Sequence, residues 1–266
     1  MKEKETIKIL FLGDIVGRPG RRAVSSVLSD IKKTEEVDFV IANGENIAAG
    51  KGMTMGKYQE MTEAGIDYFT SGNHIWNNDD MVANLDKMSV HVLRPANYSC
   101  DTPGRGSATV ALDDVKLTIV NLQGRVFMKD DIDDPFSVGK RIAEENDDSI
   151  VIVDFHAEAT SEKRALAYYL DGKIAALIGT HTHVQTADET ISESGTAFIS
   201  DAGMCGPEDS VLGVKKEIII EKFLTQLPQS HKVAIGDCIL NGVFVTIDKP
   251  SKRAIKIERL NTKVRF

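Results

Sequence analysis

Hydrophobic residues in this chain gather in short, often β-branched runs separated by longer stretches of mixed character. The runs at 7–12, 39–42, 68–71, 117–121, 150–155, 175–178, 197–200 and 243–247 are short and apolar enough to predict buried strands. Helix candidates lie between several of them, at 21–33 after Pro19 and at 161–170 with Thr160 as N-cap. In the second helix, Ala165, Leu166, Tyr169 and Leu170 recur at helical spacing and are expected in the core, with Glu162, Lys163 and Arg164 on the opposite side.

Strands alternating with helices predict an α/β class. Residues 105–121 read differently, because an Asp-Asp pair separates two strand-like runs as in a hairpin, so antiparallel pairing is expected as well. No repeat or low-complexity tract interrupts the chain, and the stretch most like a linker, 97–106, lies between pieces that one site would have to unite. The expectation is therefore a single domain over 1–266.

Composition narrows the function classes. Apolar residues make up 42% and charged residues 27%, the usage of an ordinary compact protein. A formal net charge of −8 argues against an extended nucleic-acid surface or an anionic membrane as partner. The three cysteines, Cys100, Cys205 and Cys238, cannot all pair in one chain and show no CxxC spacing, which fits a reducing compartment rather than a disulfide framework. The first residues lack the apolar stretch of a secretory leader, and no run approaches the roughly 20 apolar residues of a membrane span. A cytoplasmic protein is expected.

The polar motifs supply the chemistry. GD at Asp14, NGEN at Glu45 and Asn46, GNH at Asn73 and His74, DFHAE at His156, and GTHTH at His181 and His183 each follow a predicted strand. Loops at the carboxyl ends of strands converge in α/β sheets, so five such ends can build one site. Taken singly, each motif has an ordinary explanation: Asp14 as a helix cap, Glu45 and Asn46 as turn chemistry, His74 as a loop histidine and His156 as a core one. His181 and His183 are more specific, since residues two apart in extended backbone face the same side and can share a metal. Four of the six histidines fall at strand ends with two carboxylates and two asparagines, and that coincidence favours a metal site.

In order and placement these motifs resemble the calcineurin-like binuclear metallophosphoesterases. Two departures are plain: Asp14-Ile15-Val16 lacks the histidine of the family's opening D-x-H, and Glu45 stands where its second motif has aspartate. The longer strings NGEN, GNHIW, DFHAEATSEKRA and GTHTHVQTAD resemble the YmdB-like bacterial cyclic-nucleotide phosphodiesterases over nearly the whole chain. The resemblance implies a four-layer α/β/β/α sandwich of two mixed sheets. It implies that Asp14, Glu45, Asn46 and His183 hold one metal, that Glu45, Asn73, His156 and His181 hold the other, and that His74 is the general acid. It also implies iron or manganese, with zinc admitted, and as substrates nucleoside 2′,3′-cyclic monophosphates with 3′,5′-cyclic esters as a further class. Mixed oxygen and imidazole donors suit these metals better than magnesium or calcium. Two divalent ions would bring about +4 and the two carboxylates return about −2, leaving roughly +2 for hydroxide and a phosphodiester to neutralise.

Other readings are weaker. Gly13, Gly17 and Gly20 do not have GxGxxG spacing, and no GK[ST] or GxSxG is present. Cys205, in GMCGP, is expected to pack or shape a loop. The basic tail at 249–265 alternates Ile255 and Ile257 with Lys256 and Glu258, the pattern of a half-buried strand. A non-catalytic metal- or nucleotide-binding regulator on the same fold is the remaining alternative, and the sequence leaves homo-oligomerisation open.

Overall fold

The computed structural model describes residues 5–266, so the first four residues of the stretch read against a leader lie outside the described residues. All eight strand runs form strands. In chain order the elements are β1 (Thr6–Leu12), β2 (Asp14–Ile15), α1 (Gly17–Thr34), β3 (Phe39–Asn43), α2 (Met55–Glu63), β4 (Tyr68–Thr70), a 3-10 turn at Ile75–Asn77 and α3 (Asp79–Val82). There follow β5 (Ser107–Leu112), β6 (Val115–Gln123), α4 (Pro135–Glu145), β7 (Ile150–His156), α5 (Thr160–Tyr169), β8 (Ala176–Thr180), β9 (Thr190–Ile191) and β10 (Ala197–Ile199). The chain ends with β11 (Met204–Pro207), α6 (Lys216–Thr225), β12 (Cys238–Asp248) and β13 (Arg253–Val264).

Two mixed sheets result. In one, β1, β3 and β4 run parallel, β12 pairs antiparallel with β1, β11 and β13, and β2 pairs with β11. The other has the order β5-β6-β7-β8-β10-β9, parallel through its centre. The hairpin read from the Asp-Asp pair is the β5–β6 connection, with Asp113 in the left-handed region at φ 52°.

Strand alternation fixes the layering, because successive side chains point to opposite faces. From β1, Ile7, Ile9 and Phe11 turn inward to meet Ile119, Ile152 and Ile178 of the second sheet. The alternate residues Leu10 and Leu12 pack against Ala23, Val24 and Leu28 of α1. On the far side, Val151, Val153 and Phe155 of β7 pack on Ile142 of α4 and Leu166 of α5. Three apolar layers thus separate four layers of structure, the α/β/β/α sandwich the motifs implied. The free, buried Cys205 lies in β11 against Ile15, a packing role as expected.

Three local expectations are overturned. The N-cap of α5 is Ala159, without a side-chain cap bond, and Thr160 is already helical. In that helix Ala165 and Tyr169 are exposed while Glu162 and Lys163 are buried. Their polar ends have dedicated partners: Glu162 accepts from the backbone N–H of Arg125 and Val126, and Lys163 donates to the Thr180 carbonyl and to Asp201. Finally, Ile255 is 56% exposed. The register slips there, Thr246 pairing with Lys256 and Ile247 with Ala254, so Ile255 is the extra residue of a bulge and leaves the alternation.

Phe11 is fully buried between the sheets. Phe11→Ala should lower stability by about 3–5 kcal/mol, seen as a lower denaturant midpoint with the slope unchanged.

Candidate active site

Every motif singled out from the sequence lies at or just beyond the carboxyl end of a strand: Asp14 after β1, Glu45 and Asn46 after β3, Asn73 and His74 after β4, His156 closing β7, and His181 and His183 after β8. The two sheets meet along this edge. Asn43, the last residue of β3, donates to Asp154 Oδ2 of β7 at 3.0 Å. Asn121 of β6 accepts from the Ser71 backbone N–H at 2.9 Å and donates back to its carbonyl at 3.0 Å. These amides tie strands of one sheet to strands of the other and so set the distance between the two halves of the site. The strand pattern hid them, although Asn inside an apolar β run is itself a signal of a specific polar task.

Within the edge the predicted residues converge. Asn46 Nδ2 lies 3.4 Å from Asp14 Oδ1, 3.2 Å from Glu45 Oε1 and 3.2 Å from His183 Nε2. His156 Nε2 is 3.2 Å from Glu45 Oε1 and 3.0 Å from His181 Nδ1. His74 places Nδ1 at 3.0 Å from Asn46 Oδ1 and 3.2 Å from Glu45 Oε1. Asn73 precedes it in the same loop, and its Oδ1 is buried with no hydrogen-bond partner among the described residues.

The HxH pair does not reach the site by extended backbone, as its spacing suggested. His181 and His183 both adopt left-handed φ, 101° and 64°. Such residues carry strain of about 1–3 kcal/mol each and persist only where the surroundings impose them. Here the His181 N–H donates to Asp14 Oδ2 at 3.1 Å and the Thr182 N–H to Asp201 Oδ2 at 3.0 Å. Beneath the loop, Lys163 Nζ donates to the Thr180 carbonyl and to Asp201 Oδ2, each at 2.8 Å, with both side chains fully buried. The turn sends the rings apart, His181 to His156 and His183 to Asp14. Lys163 and Asp201 were missed because a buried ion pair looks like surface charge in sequence.

Charge explains the cluster. Burial alone would raise the carboxyl of Asp14, but the hydrogen bond and charge of His183 bring it below its usual value. Burial likewise opposes ionisation of Glu45, and His156 and then His74 outweigh it, holding the group well below the usual range. The compensating protons reside on imidazole. Despite burial, Glu45 pushes His156 up to about 9 and Asp14 pushes His183 up to about 9. His181 goes down to about 4, through burial and the neighbouring charge of His156.

A metal ion is the natural replacement for those protons. Glu45, His156 and His181 offer ligand atoms within 4.8 Å of one another, and the buried Asn73 Oδ1 is an acceptor with no donor of its own. Oxygen and imidazole donors of this kind fit a divalent transition metal. The second ring nitrogens are held as a metal site requires: His156 Nδ1 lies 2.8 Å from Thr180 Oγ1, which donates to Asp154, and His183 Nδ1 lies 2.9 Å from the Leu212 carbonyl.

Two predictions follow from charge and space. A cation held through the inward nitrogens of His156 and His183 would displace their protons, so uptake should tighten as pH rises toward about 9 and weaken as it falls. Calorimetry near pH 7 in buffers of different ionisation enthalpy should register release of about two protons. A side chain at Gly72 would stand 2.1 Å from His156 Cδ2 and 2.3 Å from Glu45 Oε2. Gly72→Ala should therefore lose bound metal while the far-ultraviolet circular dichroism stays native.

Comparison with known proteins agrees with this geometry. A family model described as YmdB-like protein matches residues 10–260. A relative from Bacillus subtilis (strain 168), named 2′,3′-cyclic-nucleotide 2′-phosphodiesterase, is 44% identical over 256 residues, 96% of each chain. The crystal structure of a novel phosphatase from Mycoplasma pneumoniae has TM-score 0.93 at 37% identity, covering 98% of this chain and 94% of that one. The NAD nucleotidase of Haemophilus influenzae shares the fold alone, with TM-score 0.63 at 14% identity over 98% of this chain and 56% of its own. No helix among the described residues is long and apolar enough to cross a membrane. By family match, fold and the converging donor set, the chain belongs to the YmdB-like family and is a hydrolase of the metallophosphoesterase class, a fold that implies divalent metal ions.

Proposed function

We infer that the protein hydrolyses nucleoside 2′,3′-cyclic monophosphates to 3′-monophosphates at a two-metal centre. The observation that carries the reading is the meeting of the buried Asp14, Glu45 and His156 with the partly buried His181 and His183, beside an Asn73 Oδ1 that has no partner among the described residues, in a chain similar to a 2′,3′-cyclic-nucleotide 2′-phosphodiesterase. Asp14, Glu45, Asn46 and His183 would hold one metal. Glu45, Asn73, His156 and His181 would hold the other, with Glu45 shared. Iron or manganese is the proposed pair, zinc the alternative, and 3′,5′-cyclic esters a further substrate class. When bound, the metals lower the pKa of water to make the nucleophile and neutralise charge on the phosphoryl oxygens.

The chain's own residues do the rest. Glu45 and Asp14 supply the negative charge that draws cations and protons to the cluster, and fix its register through the N–H groups of His74 and His181. His74 is tethered through Nδ1 to Asn46 and Glu45, and its Nε2 has no partner among the described residues. That nitrogen is the proposed proton donor to the departing 2′ oxygen. General acids of this kind contribute about 10²–10⁴-fold. His74 accordingly belongs to catalysis rather than to the ligand set.

His74→Ala should retain both metals and lose about 10²–10⁴-fold in turnover, whereas Glu45→Ala should lose metal and turnover together. Metal analysis beside an assay of 2′,3′-cyclic AMP hydrolysis checks both. Chelation should abolish hydrolysis and added manganese or iron restore it. Nucleotide binding without turnover by the metal-loaded protein would instead favour the regulator alternative.

A further inference from the structure

His156, His181 and His183 each present one ring nitrogen inward and have a partner at the other. For His156 the prop is Thr180, backed by Asp154, and for His183 it is the Leu212 carbonyl. His181 has its Nδ1 3.0 Å from His156 Nε2, and its Nε2 lies 3.2 Å from Glu158 Oε2. A carboxylate oxygen 3.2 Å from Nε2 repels a ring lone pair and attracts a ring N–H, so the contact favours the tautomer with its proton on Nε2 and its Nδ1 lone pair toward His156.

We propose that Glu158 is the positioning residue for His181: it fixes the ring's orientation and tautomer so that Nδ1 is the nitrogen offered to a metal. The assignment rests on reading Glu45, His156 and His181 as a metal site. Glu158 stands two residues beyond His156, in the turn from β7 into α5, between the buried Ala157 and Ala159. Its backbone is thus anchored although its side chain is 49% exposed. The carboxylate has no polar partner among the described residues other than His181, which sets it apart from the surface glutamates paired with lysine or arginine. The strand end that supplies His156 also supplies the residue that orients the His181 ring, whose backbone is held separately by Asp14.

The test uses the full chain, with metal affinity measured by calorimetry and the tautomer of His181 read from ring nitrogen shifts of the metal-free protein. Glu158→Ala should weaken one of the two metals about 10–100-fold, leave the other unchanged, and give His181 as mixed tautomers. Glu158→Gln keeps an acceptor and should restore both the Nε2–H tautomer and most of the affinity. Unchanged affinity and tautomer in Glu158→Ala would overturn the assignment, as would equal weakening of both metals. A wild-type protein that loads metal yet opens no cyclic nucleotide would end the proposed function and leave Glu158 to be decided by these same two readings.

Discussion

Asp14 and Glu45 are carboxylates with almost no solvent exposure, brought to one point where two sheets meet. Burying anionic charge is costly unless positive charge or strong hydrogen bonding answers it. The architecture around them supplies both, with the imidazoles of His74, His156 and His183, the Asn46 amide and the N–H groups of His74 and His181. Protons provide the positive charge when no cation does, and the raised His156 and His183 record that demand. Metal binding and folding of this edge are therefore answers to one electrostatic problem.

The two sheets solve it jointly. One contributes Asp14, Glu45, Asn46, Asn73 and His74, and the other contributes His156, His181 and His183, so neither sheet alone holds the proposed donor set. The apolar layer between them sets their separation, and Asn43 and Asn121 lock the site end of that layer by hydrogen bonds across it. The buried Lys163–Asp201 pair supports the strained histidine loop from below. Breaking one partner of such a pair would leave an uncompensated buried charge. The loop's geometry thus depends on the helix after His156, which also carries Glu158 at its approach.

The departures from the wider metallophosphoesterase pattern acquire a physical reading. In place of a histidine two residues after Asp14, the chain has Val16, buried at the start of α1. Asn46 lies within hydrogen-bond distance of Asp14, Glu45, His74 and His183 at once. A neutral amide in contact with Asp14 and Glu45 adds no third carboxylate to that pair and would leave the net charge of a site loaded with two divalent ions positive.

The sequence alone determined the eight strand runs, the α/β class and which polar residues follow strands, because burial on both faces and chain reversal at strand ends write themselves into local patterns. It also carried the family resemblance, through strings such as NGEN and GTHTH. Only the tertiary structure decided that Glu162 and Lys163 point inward, that Ile255 leaves the ladder at a bulge, and that His181 and His183 diverge through left-handed backbone. Each of these depends on a partner distant in the chain: Glu162 on the N–H groups after β6, Lys163 on Asp201, Ile255 on the register of β12, and the histidine loop on Asp14. Periodicity reports what a residue does to its own segment, whereas a buried charge or a strained φ is stable only through groups that folding brings to it.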